Sequence, residues 1–203
     1  MAVRRQLRRR EVLYLEGEQP AGFYLIESGW VKTFRSSQGG REVVLDIVGP
    51  LEGMGPCCGS VRNCSHGCSA AALTPAQVLW VRGLDWRILV RECPTLRDAV
   101  TDMLFKSRRR CVDLAVGLAL HDIDSRLAAL LLKLGGYRDG AAAESRPIAH
   151  VLSQQDMASA IGTAREVVTR HLARFVQRGI LSRSGRRIMV NEPRTLLSMA
   201  KGT

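Results

Sequence analysis

Between Glu11 and Leu89 no apolar run lasts long enough to make a helix turn over several times. EVLYLEGE, GFYLIESG, WVKTFRSSQGG and REVVLDIVG each continue for a few residues and stop at glycine. Short runs rich in β-branched and aromatic residues, closed by glycine, are strand signals. Gly17, Gly22, Gly29 and the Gly39-Gly40 pair fall where turns require positive φ. The spacing predicts antiparallel hairpins closing into a barrel or roll. A stretch at 57–68 interrupts the series, and AALTPAQVLWV resumes it.

At Pro94 the period changes. Leu96, Val100, Met103, Ser107, Cys111, Leu114, Leu118 and His121 recur every three or four residues, which predicts one long helix over 93–121. Pro94 suits its first turn. Lys106 and Arg108 to Arg110 fall mostly off the stripe. So narrow an apolar seam needs a partner: a second copy of the chain, or, alternatively, the chain's own barrel. Cys93 and Cys111 occupy apolar helical positions and are expected to be buried packing residues. DSRLAALLLKLGG predicts a further helix with a Gly-Gly stop, and GGYRDGAAAESRP reads as a linker. The domain boundaries expected are 1–92, 93–121 and 122–203.

The formal net charge of +11 favours a polyanionic partner, nucleic acid first. From 147 to 203 there are nine Lys or Arg against three Asp or Glu, so more than half of the excess lies in the last quarter of the chain. No apolar run reaches a membrane span, and the basic start MAVRRQLRRR leads into no signal-type core, so a cytoplasmic protein without membrane contact is expected. The segment LSQQDMASAIGTAREVVTRHLARFVQRGILSRSGRRIMVNEP is the most informative. Ser153 is placed to cap a short helix whose Met157, Ala160 and Ile161 face inward. Gly162 makes the turn, and Thr163 is expected to cap a second helix with Val167, Val168, Leu172 and Phe175 in its core. Ala164, Arg165, Glu166, Thr169 and Arg170 are left facing out. Helix, glycine turn and polar-faced helix is the helix-turn-helix pattern. Arginine can pair with guanine and glutamate can accept from cytosine, while Thr163, Thr169 and His171 are candidates for phosphates. GILSRSGRRIMV predicts a two-stranded wing turning at Gly185, with Arg183, Arg186 and Arg187 beside the DNA backbone.

On these residues the chain resembles the cyclic-AMP receptor protein and FNR (Crp/Fnr) family of bacterial transcription regulators. GTAREVVTRHL is similar to the family's recognition helix, FYLIESGWVKTF to its roll strands, and CSAAAL to the end of its effector loop. The resemblance implies an α+β fold: an N-terminal double-stranded antiparallel β-roll, jelly-roll-like, carrying the sensor over 1–92; a long dimerisation helix over 93–121; and a C-terminal winged helix-turn-helix over 122–203. It implies a homodimeric one-component regulator bound to a palindromic double-stranded operator, with RNA polymerase as a further partner. Arg165, Glu166 and Arg170 take the base-reading positions. Members usually begin with a longer N-terminal helix, so a short variant or a misplaced start codon is implied. The family's cyclic-nucleotide binders carry an Arg-Ser pair where this chain reads Cys68-Ser69, and a thiol cannot clamp a phosphate as a guanidinium does. Cyclic AMP is therefore not the expected effector.

The interrupting loop, CCGSVRNCSHGC, holds Cys57, Cys58, Cys64, His66 and Cys68. Thiolates select iron–sulfur clusters and soft metal ions, and adding imidazole permits zinc, copper or haem iron. Four readings stay open: an iron–sulfur cluster; a soft metal site or thiol–disulfide switch; haem, because Cys64-Ser65-His66 resembles the ligand segment of the family's carbon-monoxide sensor; and a polar loop with incidental thiols. No C-x-x-C beside a βαβ pattern, paired carboxylates or Ser-His-Asp set stands out, so an enzyme is not expected. A DNA binder without a sensor is the remaining alternative.

Overall fold

The computed structural model describes residues 2–39, 42–55, 65–137, 146–148, 152–184 and 187–202. The chain divides into two compact units, Met1–Val112 and Asp113–Thr203. The division falls inside the long helix rather than at its ends.

In the first unit, β1 (Ala2–Leu7), β8 (Ala76–Arg82), β3 (Gly22–Ser28) and β6 (Gly53–Met54) form one sheet in that order. β2 (Val12–Tyr14), β7 (Ser69–Ala72), β4 (Val31–Ser36) and β5 (Glu42–Val48) form the other, and every pairing is antiparallel. Alternation along β3 and β8 sends Ile26 and Val78 into a core shared with Leu13, Tyr24, Val31 and Ala70. Burying each such aliphatic side chain contributes about 1.5–3 kcal/mol. This is the double-stranded roll that the glycine punctuation predicts. Gly29, at φ +80, closes the turn between β3 and β4. Gly22 is needed for another reason than the positive φ expected of it: a Cβ there would lie 2.1 Å from the Val81 carbonyl oxygen.

Two elements lie outside the sequence reading. The arginine-rich start forms β1, an edge strand whose exposed Arg4 and Arg5 blunt it against further pairing. The strand pattern read as far as Leu89 stops at Arg82, and Gly83–Glu92 form a helix, α1. Trp86 holds α1 in place by stacking on Phe23, with ring centroids 3.8 Å apart.

The long helix α2 spans Pro94–Leu120. Its expected seam divides. Leu96, Val100, Met103, Ser107 and Leu114 are half-buried within the chain, while Cys111 and Leu118 are exposed. Within the first unit, the Met103 sulfur lies beside Gly53, and Arg110 reaches Asp46 at 2.9 Å and Glu52 at 2.6 Å. Met103 and Arg110 thus lie against the roll, whereas Leu96, Val100 and Ser107 are half-buried. Cys93 and Cys111, expected to be buried, are both exposed. The outward face instead carries Thr101, Phe105, Arg108, Val112, Ala115 and Ala119 at heptad spacing, flanked by Leu104 and Val116.

In the second unit, α3 (Ile123–Leu134), α4 (Gln154–Ile161), α5 (Arg165–Gln177) and α6 (Pro193–Ala200) surround a core of Leu127, Leu131, Phe175, Ile180 and Leu196. The wing has three strands, not the expected two: β10 (Leu181–Ser184) and β9 (Arg146–Ile148) flank β11 (Arg187–Val190). Arg146 and Pro147, at the end of the stretch read as linker, supply the extra strand together with Ile148. No described helix is long and apolar enough to cross a membrane.

Candidate nucleic-acid interface

The reading helix is built from its caps outward. Ser153 Oγ accepts the Asp156 backbone N–H at 3.1 Å and so starts α4. Gly162, at φ 67 and ψ 43, ends α4 in the left-handed conformation that glycine adopts without strain. Arg126 on α3 donates to the Ile161 carbonyl at 2.7 Å, fixing the turn from below. The N-cap of α5 is Ala164, without a side-chain cap, rather than Thr163, whose backbone N–H closes the preceding turn onto Ala158 at 2.9 Å.

Val168, Leu172 and Phe175 are buried and Val167 is half-buried, so the opposite face of α5 must point to solvent. Arg165, Glu166, Thr169 and Arg170 lie on it, all exposed. No side chain among the described residues pairs with Arg165, Glu166 or Arg170. Thr169 is engaged: its hydroxyl lies 2.7 Å from Gln154 Oε1 and 3.0 Å from the Arg165 carbonyl. His171 is not left for phosphate either, because its Nδ1 lies 2.5 Å from Asp124 Oδ1. Arg183 and Arg187 are exposed on the wing strands; Gly185 and Arg186 lie outside the described residues. Gln154, at the first position of α4, escaped the sequence reading because its relation to Thr169 depends on how two helices cross.

Asp122 caps α3, accepting the Ser125 N–H at 2.8 Å. The Ser125 hydrogen bonds hold its carboxyl below the ordinary range, helped by the nearby His171 and Arg174.

In the first unit, Cys57, Cys58 and Cys64 lie outside the described residues. Cys68 is half-buried, within electrostatic reach of Arg35. Arg35 itself is paired with Glu16, which is the main reason its pKa is raised. His66, expected among the candidate ligands, is buried in the roll. Its ring stacks on Tyr14 at 3.6 Å and 9°, and its backbone N–H donates to the Glu18 carbonyl at 2.9 Å. Burial pushes its imidazole pKa down against the opposing pull of Glu18. Ser69 is buried too, and its oxygen accepts the Glu16 N–H at 3.0 Å.

Known proteins share both units. Residues 4–93 match the cyclic nucleotide-binding domain family, and residues 125–199 match the Crp-like helix-turn-helix domain family. The CRP-like cAMP-activated global transcriptional regulator of Mycobacterium tuberculosis is 27% identical over 197 residues, covering 95% of this chain and 86% of that protein. The transcriptional activator protein Anr of Pseudomonas protegens is 25% identical over 199 residues, covering 98% and 81%. The structure of FixK2 from Bradyrhizobium japonicum shares the fold at a TM-score of 0.78 and 23% identity, covering 98% of this chain and 97% of that one. With a roll, a long helix, a winged helix-turn-helix and both domain families matched, the chain belongs to the Crp/Fnr family of DNA-binding transcription regulators.

Proposed function

We propose that the chain works as a homodimer on a palindromic operator, reading bases through Arg165, Glu166 and Arg170. The observation that carries this is the outward, unpaired display of those three side chains from a helix fixed on its other side by Val168, Leu172 and Phe175. The exposed heptad stripe of α2 supports self-pairing, which would place two such helices about one DNA turn apart. RNA polymerase is the proposed second partner at promoters. The test begins with duplexes enriched by the protein from a random pool. Arg165→Ala should cost about tenfold to a hundredfold on the enriched duplex while leaving most of the salt-sensitive binding to random duplex. Equal losses on both would remove Arg165 from base reading.

We further propose that the cysteine loop senses a redox or metal signal. Cys68 is half-buried at the end of this loop, beside the buried Ser69 of β7. His66 fits the ligand set poorly, its ring being buried against Tyr14, which favours a thiolate site in which Cys57 or Cys58 joins Cys64 and Cys68 over the haem reading. An iron–sulfur cluster held there would supply one-electron and oxygen sensitivity. The relative from Mycobacterium tuberculosis is named as cAMP-activated. That effector does not carry over, because the phosphate-clamping arginine is replaced by Cys68 and the adjoining Ser69 is packed into β7. Anaerobic purification followed by an absorption spectrum with metal and acid-labile sulfide analysis tests the site. Metal-free, colourless protein with freely reducible thiols would leave only the thiol–disulfide switch.

A further inference from the structure

We propose that Asp124 is a specificity-determining residue that withholds one cation of α5, Arg174, from the phosphate backbone, with His171 completing the cluster that holds it. The proposal rests on reading α5 as the recognition helix. Around that helix the outward face runs through Glu166, Arg170 and Ala173; beyond Arg170 comes Arg174 on the flank, and His171 lies further round, past the half-buried Val167 and beside the buried face. The flanks of a helix seated in the major groove face the phosphates at its rim. An arginine on that flank, as Arg174 is, would ordinarily contact that rim.

Here it turns to protein instead. Asp124, in the first turn of α3, has Oδ1 2.5 Å from His171 Nδ1 and accepts at Oδ2 from the Arg174 guanidinium. The Arg174 nitrogen lies 3.2 Å from His171 Nδ1, so the three form one closed cluster. Asp124 and His171 side chains are 19% and 15% exposed, whereas Arg174 is 49% exposed and within reach of solvent or phosphate should the carboxylate go. Asp122, the N-cap two residues earlier, sits in the field of the same two side chains.

Phosphate contacts add affinity to every sequence alike, and each one steepens the salt dependence. In a chain of net charge +11, further contacts of this kind would raise binding to random DNA more than they would help a particular site. An aspartate that neutralises a flank cation therefore raises the ratio of selective to random binding while touching no DNA. A purely structural tie would lower both affinities alike and leave the salt slope unchanged.

The experiment uses the full chain, the enriched duplex and a random duplex of equal length, each titrated across about 0.05–0.3 M salt. Asp124→Asn should tighten random binding several-fold, steepen its log–log salt slope by about one, and lower the enriched-to-random ratio. Arg174→Met in the otherwise native chain should leave both slopes unchanged, since that charge is already neutralised. An unchanged slope in Asp124→Asn, or a slope flattened by about one in Arg174→Met, overturns the proposal. Should Asp124→Asn lose its folded circular dichroism, the Arg174→Met slope decides. A pool that yields no enriched duplex would instead sink the reading of α5, while the random-duplex slopes still report on Asp124.

Discussion

Gly162 shows how one residue can position a reading head. Its φ of 67 suits glycine, and a Cβ there would come within 2.7 Å of the Leu118 methyl. Gly162→Ala should therefore destabilise the second unit by about 1–3 kcal/mol, seen in urea unfolding. Asp122 makes a pH prediction. Its folded pKa is depressed, so its contribution is present above the unfolded carboxylate value and lost as pH falls through the folded one. Asp122→Ala should cost about 1 kcal/mol at neutral pH, and the melting-temperature gap to wild type should shrink below about pH 4. A gap constant down to strong acid would refute the cap's ionised role. Ser153 and Gly162 were legible because a polar cap and a turn glycine act locally. Thr163 was misread because the cap depends on which residue leaves the helical φ/ψ region, and here that is Ala164.

At the scale of an element, α2 is the instructive case. Periodicity identifies a helix, but this helix is apolar on two faces, and periodicity cannot say which one the roll covers. Met103 and Arg110 lie against the roll, whereas Phe105, 64% exposed, and Val112 do not. Phe105→Asp should abolish self-association in sedimentation velocity with the melting temperature of the roll nearly unchanged, because burying such a ring is worth about 1.5–3 kcal/mol only where a partner covers it. Met103→Asp should do the reverse, unfolding the roll first. Within α5, Phe175→Ala should cost about 3–5 kcal/mol, since the ring is wholly buried. The missed elements, β1 and α1, share a cause. Each is short and exposed, and each is defined by pairing with β8 or packing on Phe23 rather than by its own pattern.

Over the whole molecule, the proposed division of labour is sensing in the roll and reading in the C-terminal unit. Replacing Cys57, Cys58, Cys64 and Cys68 by serine should abolish any response of DNA affinity to air, reductant or chelator, with random-duplex binding retained. A response that survives in that variant would move the sensor elsewhere. The class of each unit and the outward face of α5 were determined by the sequence alone, because glycine punctuation, helical period and the Arg165-Glu166-Arg170 spacing are local patterns that survive in any neighbourhood. Only the tertiary structure decided that His66 is core, that Thr169 and His171 are already engaged, and which face of α2 stays open. Each of those depends on a partner distant in sequence, namely Tyr14, Gln154, Asp124 and Gly53, and no local pattern encodes the packing that brings them together.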